Sequence, residues 1–369
     1  MGMRRLILLF ILSLLLAYTG FQVSLAVPAR PAAWGLIMAF FVLALSWPFI
    51  YHIRGRRSQP RWLLALAWLG SFGLGLWATF ILLSLPLDIG SFFAFPPPQR
   101  AVLALLGGSG VIAGLGLRQA LAGPQVKRVS VDIPSLPQAL QGLRIAQLSD
   151  LHVGPTIRRA YVEEVVRTAL ALNPDLIAVT GDMGDGTVAT LAEQLEPLSK
   201  LKARLGTYFV TGNHEYYWGP EQWLQKVAEL GMIPLINENR VVGEIGAKIL
   251  VAGVTDRSSH HFIAAHRSDP RQAAATTETC ALKILLAHRP DSCLEAEPAG
   301  FDLQLSGHTH AGQFFPFSLL IPLVHRYFKG LYRHGRMWLY VNSGTGYWGP
   351  PHRFNIPAEI TLLTLEAKP

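Results

Sequence analysis

Residues 1–125 contain no lysine and one acid, Asp88, against nine arginines. Those ten charged side chains (nine plus one) in 125 residues fall far below the roughly one quarter typical of soluble globular chains, which excludes an ordinary hydrated surface for this third of the molecule. Cysteine is scarce: Cys280 and Cys293 are the only two, and neither belongs to a C-x-x-C pair. That excludes a disulfide-stapled small domain and a thiolate zinc site, and two isolated thiols fit a reducing compartment. Basic runs are missing as well. Beyond residue 125 the chain holds 23 basic and 23 acidic residues, so the formal net charge of +8 belongs to the first third (nine minus one). A neutral working domain without a basic run argues against nucleic acid as a partner.

The first third instead holds four apolar stretches, 6–26, 33–52, 62–87 and 101–121, each near the ~20 residues a helix needs to cross a bilayer. Arg4 and Arg5 precede the first, Arg54, Arg56, Arg57 and Arg61 lie between the second and third, and Arg118, Lys127 and Arg128 follow the fourth. Arg30 and Arg100 are the only basic residues in the other two loops. The positive-inside rule then predicts a multi-pass inner-membrane protein whose N-terminus and whole C-terminal portion face the cytoplasm. A signal peptide over 1–29 is the alternative for the first stretch, which is longer than the usual ~7–15-residue core of such a signal. Gly110-x-x-x-Gly114 offers a helix-packing face. The stretches are almost free of ionisable residues, so a membrane anchor is favoured over a transporter or sensor with a regulatory domain.

At about residue 125 the character changes, which predicts a membrane region over 1–124 and a cytoplasmic domain over 125–369. "LRIAQLSD" (143–150), "DLIAVTGD" (175–182), "GTYFVTGNHE" (206–215), "KILVAGVTD" (248–256), "KILLAHRPD" (283–291), "FDLQLSGHTH" (301–310) and "RMWLYVNSG" (336–344) read as buried strands. Segments with helical spacing, such as 158–172 and 220–230, alternate with them, which implies an α/β fold. Strand after strand ends in a polar side chain, and ligands of α/β sheets bind beyond the carboxyl ends of strands.

Asp150 and His152, Asp182 with Asp185 nearby, Asn213 with His214 and Glu215, His288, and finally His308 and His310 occupy those ends. Each alone has an ordinary explanation: Asp150 as a helix cap, Asn213 as a turn residue, His288 as a buried neutral imidazole. Together, two Asp, one Asn and four His form the mixed oxygen and nitrogen set that suits Mn, Fe, Co or Zn. Seven ligands exceed what one open octahedral ion needs, and they fit two ions sharing a carboxylate, as in two-metal phosphoryl hydrolysis.

The order D-x-H, GD, GNHE, H and GHTH between Asp150 and His310 resembles the calcineurin-like metallophosphoesterase family. The stretch 329–366 resembles its bacterial membrane-attached YkuE/YaeI-like branch. The resemblance implies a four-layer α/β/β/α sandwich preceded here by the four transmembrane helices. It also implies Asp150, His152, Asp182 and His310 as ligands of one ion, and Asp182, Asn213, His288 and His308 as ligands of the other. His214 matches the catalytic histidine that is not a ligand, which stabilises phosphoryl charge or protonates the leaving oxygen. Glu215 either orients that imidazole or caps a helix; Asp185 either braces a ligand histidine or fills a turn. The expected activity is metal-dependent phosphoester hydrolysis by a hydroxide bridging the ions.

After the histidines comes "FFPFSLLIPLVHRYFKGLY" (314–332), apolar and rimmed by Arg326 and Lys329. It is either core that covers the sheet or a flap dipping into the bilayer surface beside the site. The second reading predicts membrane lipids as partners and a lipid-linked substrate such as UDP-diacylglucosamine. The alternative is a generic phosphodiesterase or phosphomonoesterase of soluble substrates.

Overall fold

A computed structural model describes residues 3–26, 31–45, 61–93 and 99–367. Four helices come first: Met3–Ala26, Pro31–Leu45, Arg61–Phe93 and Gln99–Leu121. Among the described residues two spans, Arg61–Gly90 and Arg100–Leu121, are long and apolar enough to cross a membrane. The four expected spans are therefore matched by two. The expected 33–52 span is described as helix over Pro31–Leu45, and positions 46–52 lie outside the described residues.

Twelve strands follow among the described residues: β1 Gln125–Ile133, β2 Arg144–Leu148, β3 Leu176–Val179, β4 Thr207–Phe209, β5 Ile233–Pro234, β6 Glu238–Val242, β7 Ile249–Gly253, β8 Leu282–Leu286, β9 Leu303–Ser306, β10 Gly330–His334, β11 Met337–Val341 and β12 Glu359–Ala367. They form two six-stranded sheets, ordered β1-β12-β2-β3-β4-β5 and β10-β11-β9-β8-β7-β6. The centre of each sheet is parallel (Ile145 beside Leu176, Ile284 beside Leu303), and β12 enters the first sheet antiparallel to β2.

Alternate side chains of one strand serve two different interiors. Ile145, Leu176, Ala178 and Tyr208 of the first sheet meet Ile249, Val251, Ile284 and Leu303 of the second, which is the core between the sheets. Ala146, Leu148, Ile177 and Val179 face the other way, onto Val162, Val165, Val166, Leu191 and Trp223 of the outer helices. Leu250, Ala252, Leu285 and Leu339 likewise pack on Ala273, Cys293 and Ala296. Burial on both faces explains the unbroken apolar runs, and the layers are helix, sheet, sheet, helix as the resemblance implied. Gln147 ties the sheets: its Nε2 donates to Thr180 Oγ1 at 3.0 Å and to the Ser306 carbonyl at 2.9 Å.

The helices meet the sandwich closely around His352. His352 stacks on Phe314 with ring centroids 4.2 Å apart, and its Nε2 lies 3.2 Å from Thr79 Oγ1 of the Arg61–Phe93 helix. Gly116 lacks the side chain that would collide: a Cβ there would stand 1.9 Å from His352 Nδ1. The next residue, Arg353, donates its backbone N–H to the Gly116 carbonyl at 3.1 Å, and Asn355 N–H reaches Gln119 Oε1 at 3.2 Å.

Segment 314–332 is core only in part: Phe314 and Ile321 are buried, and Tyr327, Leu331 and Tyr332 pack against the sheet cores. It runs through two short turns, Phe317–Leu319 and Ile321–Leu323, of which the first touches the Arg61–Phe93 helix. Leu323 is 80% and Val324 73% exposed, and Phe317, Leu319 and Leu320 are exposed as well.

Candidate metal centre

All seven expected ligands stand just past carboxyl ends of strands: Asp150 and His152 after β2, Asp182 after β3, Asn213 after β4, His288 after β8, His308 and His310 after β9. The two sheets bring these ends together. Asp150, His152 and His310 form one group with donor atoms within 4.8 Å of one another, and Asp182, His288 and His308 form a second. Asp182 Oδ2 lies between them, 3.8 Å from His152 Nε2 and 3.4 Å from His288 Nε2. His310 Nε2 is 3.4 Å from Asp150 Oδ1. All are buried except the half-buried His308.

The loops hold these residues in an uncommon backbone state. Asp150, His152, Asp182, His308 and His310 have φ of 53°, 50°, 53°, 70° and 49°. Left-handed conformations in residues other than glycine cost about 1–3 kcal/mol each and persist where surrounding structure fixes them, typically at functional sites. Gly307 permits the close approach of β9 to β2, since a Cβ there would stand 1.9 Å from Ser149 Oγ and 2.1 Å from Asp150 Oδ2. Asp150 does not cap a helix. It accepts the His308 backbone N–H at 3.0 Å and the Ser149 hydroxyl at 2.5 Å.

Outer contacts fix which ring nitrogen faces inward. His288 Nδ1 donates to the Thr180 carbonyl at 2.7 Å, leaving Nε2 toward Asp182 and 3.1 Å from His308 Nδ1. Asp185 Oδ1 lies 3.1 Å from His152 Nδ1, leaving Nε2 3.1 Å from His310 Nε2. The same Asp185 Oδ1 holds His214 Nδ1 at 2.5 Å. Asp185 thus lies against the rings of both His152 and His214. Glu215 does the capping: it accepts the backbone N–H groups of Gly212 at 2.7 Å, Met183 at 2.8 Å and Asp182 at 3.0 Å.

Two observations fit this basin to divalent ions. Facing ring nitrogens at 3.1 Å need a cation or a proton between their lone pairs, and two such pairs occur. Asn213 Oδ1 is buried and has no hydrogen-bond partner among the described residues, which is costly unless something else meets it.

Electrostatics agree. Burial opposes charge on Asp150, yet His310 and His288 hold its carboxyl well below the ordinary range. Burial opposes charge on Asp182 also, and His288 and His214 overcome it. Burial would lower His288, but Asp182 and Asp150 push it up to about 10; Asp182 and Asp185 likewise push the buried His214 up to about 9. Burial presses His308 down to about 3, helped by His288, and presses His310 down to about 4 despite Asp150.

Arg353, whose side chain is fully buried, has no role legible in the sequence. It donates to the carbonyls of Ser343 (2.7 Å) and Gly346 (3.0 Å), and its Nη2 lies 3.1 Å from His310 Nδ1. Its signal was a lone arginine inside the "GPPHRFN" stretch, which spacing cannot distinguish from a surface charge.

Buried carboxylates and imidazoles converging at the strand ends of a two-sheet α/β sandwich define a metal-dependent hydrolase, and the comparisons give the bond class. Residues 143–312 match the model of the calcineurin-like phosphoesterase family. A Danio rerio transmembrane protein with metallophosphoesterase domain is 34% identical over 366 residues, covering 94% of this chain and 83% of that one. The chain belongs to the calcineurin-like metallophosphoesterases and is a phosphoester hydrolase. It is 39% identical to a Bos taurus protein of the same description, over 70% of this chain and 61% of that one. It is 30% identical to the metallophosphoesterase YkuE of Bacillus subtilis, over 63% of this chain and 82% of that one.

Proposed function

We propose that the protein is a membrane-anchored hydrolase with two divalent ions, Mn, Fe, Zn or Co, that cleaves a phosphoester or pyrophosphate bond of a lipid-linked substrate such as UDP-diacylglucosamine. Asp150, His152, Asp182 and His310 hold one ion, Asp182, Asn213, His288 and His308 the other. When bound, such ions lower the pKa of water and neutralise phosphoryl oxygens. The chain's own contribution is positional and protonic. Asp182 and Asp185 raise the His214 pKa above its ordinary value, and Asp185 Oδ1 lies at its Nδ1 while Nε2 is turned toward Asp182 Oδ2 at 3.8 Å. A proton held at Nε2 serves the leaving oxygen or the phosphoryl charge.

The membrane region, 1–124, acts as a multi-pass inner-membrane anchor with the 125–369 domain on the cytoplasmic side. The arginine distribution supports this orientation, and the similarity to a transmembrane relative along 94% of the chain supports the anchor. The observation that carries the lipid reading is the exposed apolar run at 317–324, which directly follows His308 and His310 and touches the Arg61–Phe93 helix. An exposed apolar patch on a soluble surface marks an interaction site, and bilayer lipid fits one beside apolar helices. The test is hydrolysis by purified membranes with added Mn²⁺, a UDP-linked acyl sugar against a soluble aryl phosphodiester. Turnover of the acyl sugar supports the reading; turnover of the diester alone would assign the enzyme to soluble substrates.

A further inference from the structure

The mouth of the metal basin is asymmetric. On the His214 side it is lined by aromatic rings without charge: Tyr217 lies 5.2 Å and Trp348 6.0 Å from the His214 ring, and both are exposed. On the His308 side lies a cleft of about 300 Å³, at the small end of ligand pockets, whose walls include Arg289, His308, His325 and Arg326. His325 stands edge-on to His308 with centroids 5.9 Å apart.

Arg289 is prepared to bind something there. Its Nε donates to the buried carboxylate of Asp256 at 2.9 Å, which fixes the side chain and leaves both terminal nitrogens without a partner among the described residues. Arg326 is exposed, lies 5.2 Å from the Tyr327 ring, and has no carboxylate within 4.0 Å among the described residues. The acid in the cleft wall, Asp291, is within 3.6 Å of Arg257. Two guanidinium groups with free donors and a histidine, beside a basin that receives a phosphoryl group, make a site for a second anion.

We propose that this cleft is a second anion subsite, in which Arg289, His325 and Arg326 take a further phosphoryl group carried by the substrate next to the one that is hydrolysed. The substrate class is then a phosphoester with two adjacent phosphoryl groups, rather than a simple monoester or diester. The inference rests on the phosphoester-hydrolase reading, and it assigns a direction: the second phosphoryl group lies toward His308, and the uncharged portion lies toward Tyr217 and Trp348.

The experiment uses the full chain in detergent with Mn²⁺ and compares UDP-N-acetylglucosamine with bis(p-nitrophenyl) phosphate. Calorimetric binding of imidodiphosphate is the second readout. Arg326→Ala and Arg326→Glu should lower kcat/KM for the diphosphate at least about tenfold more than for the diester, as expected for loss of a charge-assisted hydrogen bond, with Arg326→Lys recovering part of it. Imidodiphosphate binding should weaken in step. Equal losses on both substrates, or no loss on either, would overturn the subsite while leaving the hydrolase reading intact. If no substrate turns over but imidodiphosphate still binds in an Arg326-dependent manner, the subsite stands and the hydrolase reading fails.

Discussion

Asp150, His152 and His310 on one side of the basin, and Asp182, His288 and His308 on the other, use the same side-chain chemistry but are braced differently. His152 leans on a carboxylate, Asp185, which also grips His214. His288 leans on a backbone carbonyl, that of Thr180, and its neighbour His308 opens toward the arginine-lined cleft. A carboxylate makes an imidazole a stronger donor than a carbonyl does. The first half is thereby wired to the proton-carrying histidine, and the second to the substrate cleft.

The change that breaks both halves together is Asp182→Ala, since its Oδ2 stands between them. Metal content by elemental analysis should fall for both ions, and activity should drop further than the about 10–100-fold typical of altering an outer brace. Retention of one full equivalent of tightly bound metal would show that the halves do not share this carboxylate.

His214→Ala should separate metal from turnover. The ions stay and the rate falls by about 10²–10⁴, the usual contribution of a positioned proton donor. Loss of metal in parallel with rate would place His214 among the ligands instead.

Asp185→Asn sharpens the contrast between halves. Metal titration should show one of two affinities weakened about 10–100-fold, the one served by His152, while the His288 half is unchanged. Uniform weakening of both would count against separate bracing.

Metal affinity should also fall as pH falls. In the ion-free basin His288 titrates near 10 and so carries a proton at neutral pH that an ion must displace. Affinity therefore rises with pH up to about that value and proton release accompanies binding, both measurable by calorimetry in several buffers. The smallest expected effect belongs to Gly116→Ala: an added methyl against His352 should cost about 1–3 kcal/mol, read as a lowered Tm.

Much of this was legible because strands announce themselves in runs such as Ile145–Leu148 and Ile284–Leu286, and because their ends carry side chains with few other uses. The edges were harder. β6 and β10, with sequences ENRVV and GLYRH, are half-exposed and lack an apolar run, so nothing in them marks a strand. The insertion of β12 between β1 and β2 pairs residues more than 200 positions apart, which local patterning cannot convey. Within the site, the division of labour between Asp185 and Glu215 depends on which loops meet in space, which spacing along the chain does not reveal. Arg353 was hidden because a lone arginine in a loop reads as a surface charge.

The contact at Gly116 changes what the helices are for. Its carbonyl receives the N–H of Arg353, whose side chain reaches His310, so one residue spans from a helix backbone to the wall of the metal basin. A chain cut at residue 124 would leave that N–H and the His352 ring facing water, with the brace behind His310 detached at its root. The helix pair and the metal basin are thereby joined through one residue, Arg353.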